Sequence, residues 1–154
     1  MNGSERTDPP ALSADELESF LAREFPEAFN PSSGLAVEKV WRGGARLRQA
    51  CRAAFLRPGG TISGPTMMML ADVAMYLAVL SAVGPVPLAV TTSFNINFLR
   101  RPAPADLVAE AELMKLGRRL AVGEIAIRSA AAQAGDDLVA HATSSYSIPQ
   151  PRGF

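Results

Sequence analysis

Two patterns of apolar residues organise this chain. From Thr66 to Val83 nearly every residue is apolar, and Asp72 is the only charge. That run predicts one hydrophobic helix, started by Ser63 or Gly64 as N-cap with Pro65 at the first helical position. After Gly84 the period changes to two. In "LAVTTSFNINFLRRP" Val90, Phe94, Ile96 and Phe98 are set to face one way, and Thr91, Ser93, Asn95 and Asn97 the other. Strand-like segments follow at about 106–116, 119–130 and 138–148, with turns at Gly117 and at "AGDD", 134–137. Upstream, "SADELESFLAREFP" reads as a short amphipathic helix with a Ser13–Glu16 capping box. Leu35 to Arg42 and Ala45 to Phe55 read as strands joined at Gly43-Gly44, and "RPGGTISGP" as a loop.

The order is short helix, two strands, long apolar helix, four strands. Short connections favour antiparallel neighbours, so the expected architecture is α+β: a curved antiparallel sheet of five or six strands around one buried helix. Residues 13–149 make one domain, after a disordered segment 1–12 and before a tail 150–154.

Composition narrows the function classes. Fifteen basic residues balance fifteen acidic ones, so no overall field draws the protein to nucleic acid. One cysteine, Cys51, precludes an internal disulfide and a cysteine-rich zinc site, and one histidine, His141, argues against a histidine-based metal site. The polar, acid-containing start lacks a signal-peptide core, which with the lone thiol points to the cytoplasm. The apolar run has the length of a membrane span, but Asp72 within it and the lack of basic flanks argue for a core helix.

Asp72 is the candidate chemistry. Its helical neighbours are Met68, Met69, Met75 and Tyr76, of which only Tyr76 is polar. A carboxylate there needs compensation. The helix start is the second feature, because it presents free backbone N–H groups, and glycine at 64 lets a ligand approach its own N–H. Such a donor stabilises a developing oxyanion. Eight residues, about 12 Å along a helix, separate Gly64 from Asp72. One chain does not readily bring both to one small carbonyl, whereas two antiparallel copies in a symmetric dimer would.

"SGPTMMMLAD" resembles the signature of the hotdog-fold acyl-CoA thioesterases of the PaaI-like (phenylacetate-pathway) group: His-Gly-Gly, four variable residues, then Leu-x-Asp. Ser63 stands at the histidine, Gly64 matches the first glycine, Pro65 replaces the second, and Leu70 and Asp72 match. "NINFLRRPAPADLVAEAELMKLGRRLAVGEIAI" and "DDLVAHATSSYSIP" resemble later strands of the same family, so the likeness covers about 35–149. It implies a hotdog fold, dimers that often pair into tetramers, and acyl-CoA hydrolysis without a cofactor. It further implies that Asp72 is general base or nucleophile and that the Gly64 N–H holds the thioester oxygen. The candidate substrate contacts are Ser63, Pro65, Thr66, Met68, Met69, Tyr76, Thr91 and Thr92. Arg100, Arg101, Lys115, Arg118 and Arg119 are candidates for the phosphates of CoA. The alternative is a non-catalytic acyl-CoA or lipid binder on the same fold, which the Ser63 and Pro65 replacements keep open. A dehydratase would require a histidine beside an acid, and His141 is badly placed for that.

Overall fold

The structure, a computed structural model, describes residues 8–131 and 138–150. The expected turn at 134–137, the first seven residues and the last four lie outside them. Helix α1 spans Ala14–Glu24 with the capping box at Ser13 and Glu16 that its sequence predicts. Strands β1 (Leu35–Trp41) and β2 (Gly44–Gln49) follow, then a single 3-10 turn and a small hairpin of β3 (Leu56–Arg57) and β4 (Thr61–Ile62). Helix α2 spans Gly64–Val83, and β5 (Val90–Phe98), β6 (Leu107–Leu116), β7 (Leu120–Ser129) and β8 (Leu138–Ser147) complete the order. Six of these strands form one antiparallel sheet ordered β1-β2-β6-β7-β8-β5. The sheet curls around α2, as the two periodicities predict.

Helix α2 is the centre of the core. Leu70, Leu77 and Leu80 are fully buried, as are the facing Leu47, Ile125 and Ile127. Its length and apolarity would suit a membrane span, but 72% of its most apolar stretch is buried inside the fold. Helix α1 covers one flank with Leu17, Phe20 and Leu21, and the Phe20 and Tyr76 rings sit 6.3 Å apart. Glu18 of α1 also accepts the Val37 N–H at 3.0 Å, which satisfies the edge of β1 at its bulge.

Three expectations change. The second strand ends at Gln49 rather than Phe55, because the Ala50 N–H turns back to Gly34 (2.8 Å) and the Cys51 N–H to the Asp106 carboxylate (2.9 Å). The 57–62 part of the expected loop, together with Leu56 before it, pairs as the β3–β4 hairpin. Residues 8–12, expected to be disordered, are held by hydrogen bonds from Ala11 N to Ser81 O and from Arg42 N to Asp8 O, with Leu12 packed on the core.

Two glycines are required by this packing. Gly43, at φ 82°, makes the β1–β2 turn. At Gly123 of β7 a Cβ would lie 2.7 Å from the Met75 sulfur and 2.8 Å from the Glu112 carbonyl oxygen, so the helix approaches the sheet only because that position is bare. Gly123→Ala is expected to destabilise the fold by about 1–3 kcal/mol, read as a lowered urea midpoint. An unchanged midpoint would show that α2 does not press on this strand.

Candidate active site

The sheet and α1 leave one stripe of α2 uncovered. Pro65, Met68 and Met69 are exposed, Asp72 is half-buried, and Tyr76 passes under α1. This is the i, i+3, i+4, i+7 row of a single helix face. Asp72 therefore sits where the apolar helix emerges from its wrapping.

Its carboxylate is held from the sheet. The Thr91 hydroxyl donates to Asp72 Oδ1 at 2.6 Å, and the Tyr146 hydroxyl lies 3.1 Å from the same oxygen and 3.2 Å from the Asp72 carbonyl. Thr91 of β5 and Tyr146 of β8 are direct cross-strand partners, so one rung of the ladder supplies both donors. A register shift between Thr91 and Ser93 makes this possible. It overturns the simple alternation: Thr91 turns inward with Phe94 and Ile96, while Val90 is 56% exposed. Thr92, in the shift, is exposed and donates to the Ser145 carbonyl at 3.3 Å.

Tyr146 is buried and stacked on Tyr76, ring centroids 6.0 Å apart. Burial, and then the Asp72 charge, hold the Tyr146 phenol far above the usual tyrosine range. Burial, helped by Glu24, pushes the Tyr76 phenol up to about 12. Both stay protonated donors at neutral pH, and the Tyr76 hydroxyl donates to the Pro87 carbonyl at 3.0 Å. Asp72 Oδ1 is thus anchored, and Oδ2 has no partner among the described residues. A cleft of about 220 Å³ opens beside it, lined by Asp72, Tyr76, Thr91 and Tyr146 and closed by Glu24, the last residue of α1, and Phe25, its C-cap.

At the other end of the stripe Ser63 caps α2. Its hydroxyl accepts from Thr66 N (3.4 Å) and meets the Thr66 hydroxyl at 2.8 Å, so both side chains serve the cap. Gly64 and Pro65 take the first two helical positions. The Gly64 N–H has no acceptor among the described residues. Neither conformation nor packing requires glycine here: its φ is not in the left-handed region, and a Cβ would meet the Phe98 ring at an ordinary 3.4 Å. Met69 and Thr66 border a second cleft of about 240 Å³ beside this helix end.

The basic candidates do not gather in one chain. Arg100 and Arg101 follow Phe98, at the Gly64 end of β5, while Lys115, Arg118 and Arg119 flank the β6–β7 turn near the Val90 end. Eight residues of strand, about 27 Å at 3.3–3.4 Å each, lie between the two ends. Gln150 fastens the turn, accepting from Arg118 Nε at 3.3 Å and donating to its carbonyl at 2.6 Å. His141 sits on the outer sheet face, 3.2 Å from Glu124 Oε2 and away from Asp72. No cluster of three potential metal ligands occurs among the described residues.

Sequence reasoning missed Tyr146, Glu24 and Phe25. The first lies in a strand of alternating small residues, and the others lie at the end of a helix far away in sequence. The anchoring of Oδ1 is open to test. Tyr146→Phe and Thr91→Val are each expected to lower the unfolding free energy by about 1–3 kcal/mol, while Thr91→Ser recovers most of the loss in the same urea titration. Wild-type stability in both variants would show that these hydroxyls do not hold Asp72.

Comparison with known proteins places this arrangement. The family profile of the thioesterase superfamily matches residues 59–133, which include both Gly64 and Asp72. A candidate esterase from Saccharolobus solfataricus is 31% identical over 116 residues, 75% of each chain. Another, from Halobacterium salinarum, is 35% identical over 100 residues, 61% of this chain and 65% of that one. Among solved structures, a candidate thioesterase from a Silicibacter species superposes with a TM-score of 0.80 at 39% identity, covering 92% of this chain and 94% of that one. The phenylacetic acid degradation protein PaaI of Thermus thermophilus, in a mutant form, gives 0.65 at 29% identity, covering 75% and 94%. Signature, six-stranded wrap and relatives agree: the chain is a PaaI-like member of the hotdog thioesterase superfamily.

Proposed function

We propose that this protein hydrolyses acyl-CoA thioesters at a site shared by two subunits, with Asp72 from one and the Gly64 N–H from the other. One observation carries the reading. Asp72 is bonded to Thr91 at one end of β5, and Gly64 lies against Phe98 at the other. Strand β5 is a sheet edge, paired with β8 alone among the described residues. Beside it Met68, Met69, Val90, Phe98 and Leu99 are 42–56% exposed. A long edge strand bordered by apolar side chains needs a cover. A second copy pairing antiparallel along β5 supplies it and exchanges the ends. Gly64 of the partner subunit then approaches Asp72, and Arg100 and Arg101 of the partner subunit move to the end that holds Lys115, Arg118 and Arg119. Both the split oxyanion site and the dispersed basic residues are resolved by the same symmetry. A further pairing of such dimers into a tetramer is compatible with this reading.

The chemistry follows from the placement. The thioester carbonyl accepts the Gly64 N–H, which strengthens as negative charge develops on oxygen. Asp72 Oδ2, left open by the anchoring of Oδ1, either takes a proton from the attacking water or attacks the carbonyl carbon itself. The CoA sulfur leaves and is protonated to the thiol, and water supplies the new carboxylate oxygen. The cleft beside Asp72 receives the acyl group, the exposed Met68 and Met69 offer a pliable surface between Asp72 and the start of the helix, and the basic residues bind the phosphates of CoA. No cofactor enters the scheme. The second reading, a binder without turnover, is favoured by one feature: the hydroxyl at Ser63, where the family has histidine, is committed to the helix cap.

Release of free CoA from short, medium, long and aryl acyl-CoAs separates the two. Turnover by wild type, lowered about 10²–10⁴-fold in Asp72→Asn with the dimer retained in ultracentrifugation, supports hydrolysis. Stoichiometric binding without turnover would replace it with the binder.

A further inference from the structure

The cleft beside Asp72 carries a donor–acceptor balance that bears on which acyl groups it admits. Its side-chain hydroxyl hydrogens are all committed: Thr91 and Tyr146 donate to Asp72, and Tyr76 donates to the Pro87 carbonyl. Among the lining side chains what remains to face a ligand is acceptor or anion, namely Asp72 Oδ2 and the Glu24 carboxylate. The Phe25 and Tyr76 rings line the same space. The charge of Glu24 reaches into this space, since it helps to raise the buried Tyr76 phenol. Arg23 Nε pairs with Glu24 Oε1 at 3.3 Å, but the two side chains are 65% and 38% exposed, so the pair is weak, and Glu24 Oε2 has no partner among the described residues.

We infer that Glu24 sets acyl specificity: it rejects acyl groups that end in a carboxylate and admits neutral ones or ones ending in a donor. A terminal carboxylate would enter beside a like charge with no free side-chain donor to receive it, so discrimination comes from a repulsive element rather than from added contacts. A methyl-ended chain meets only the rings. Glu24 lies at the end of α1, outside residues 59–133 that the family profile matches. The inference rests on the proposed acyl-CoA reading and deepens it.

Hexanoyl-CoA and adipoyl-CoA have six-carbon acyl groups and differ at the far end in methyl against carboxylate. The expected ratio of kcat/KM, hexanoyl over adipoyl, is roughly tenfold or more in wild type. It should fall at least about threefold in Glu24→Gln and persist in Glu24→Asp, which keeps the charge. A wild-type ratio near unity, or one that Glu24→Gln leaves unmoved, overturns the inference while hydrolysis stands. If wild type hydrolyses neither ester, the wider acyl-CoA panel decides hydrolysis, and calorimetric Kd values of the same two esters for wild type and Glu24→Gln decide the specificity. The same shift in the Kd ratio sustains it; an unmoved ratio, or binding of neither ester, overturns it.

Discussion

Burial of a helix that is apolar on nearly every face is the constraint on which the rest depends. Leu70, Leu77 and Leu80 of α2 are enclosed by the sheet, and α1 closes a flank through Leu17, Phe20 and Leu21. Hydrophobic burial has no direction of its own. Direction comes from the places where the backbone must come close, such as bare Gly123 under Met75. A six-stranded wrap from a chain of this size still leaves one stripe of the helix open, and that stripe runs from Pro65 to Asp72. The candidate site is therefore the remainder of the core: an unfinished hydrophobic surface with one carboxylate in it.

That carboxylate joins the fold to the chemistry. The rung formed by Thr91 and Tyr146 ties Asp72 to the last two strands of the sheet, and the Tyr146 ring stacks on Tyr76 of the same helix. Donors fixed by a sheet register and a buried stack hold a carboxylate more tightly than loop side chains could. Only one of its oxygens is held. The strand that supplies Thr91 is also the unpaired edge, so the element that orients Asp72 is the one on which the proposed second subunit would pair. Orientation of the acid and completion of the site are linked through a single strand.

Much of this was legible in the sequence, for local reasons. Ser63 and Pro65 mark the start of α2, and one charge in an apolar run singles out Asp72. The Ser13–Glu16 capping box and Gly43-Gly44 mark α1 and the first hairpin, and period-two segments mark the strands. What was hidden is non-local. The bulge that turns Thr91 inward leaves no mark in an alternating pattern, because its cause is a strand more than fifty residues later in the chain. Tyr146 acquires its role from a register that only the folded sheet defines. The early end of β2 depends on Asp106, which is far from Cys51 in sequence. Glu24 and Phe25 reach the cleft because α1 packs across α2, and amphipathicity alone does not say where a helix ends against its partner.

The central claim is that neither chain holds a complete site. Co-expression of Asp72→Asn with Gly64→Pro, which removes the N–H at a helical position that suits proline, tests it most directly. Each variant alone should be inactive. Differently tagged mixed dimers, purified through both tags, carry one intact site and one doubly altered site, so roughly half of wild-type activity per dimer is predicted. Mixed dimers that form and remain inactive, beside active wild-type dimers, would contradict a shared site and return both groups to one chain.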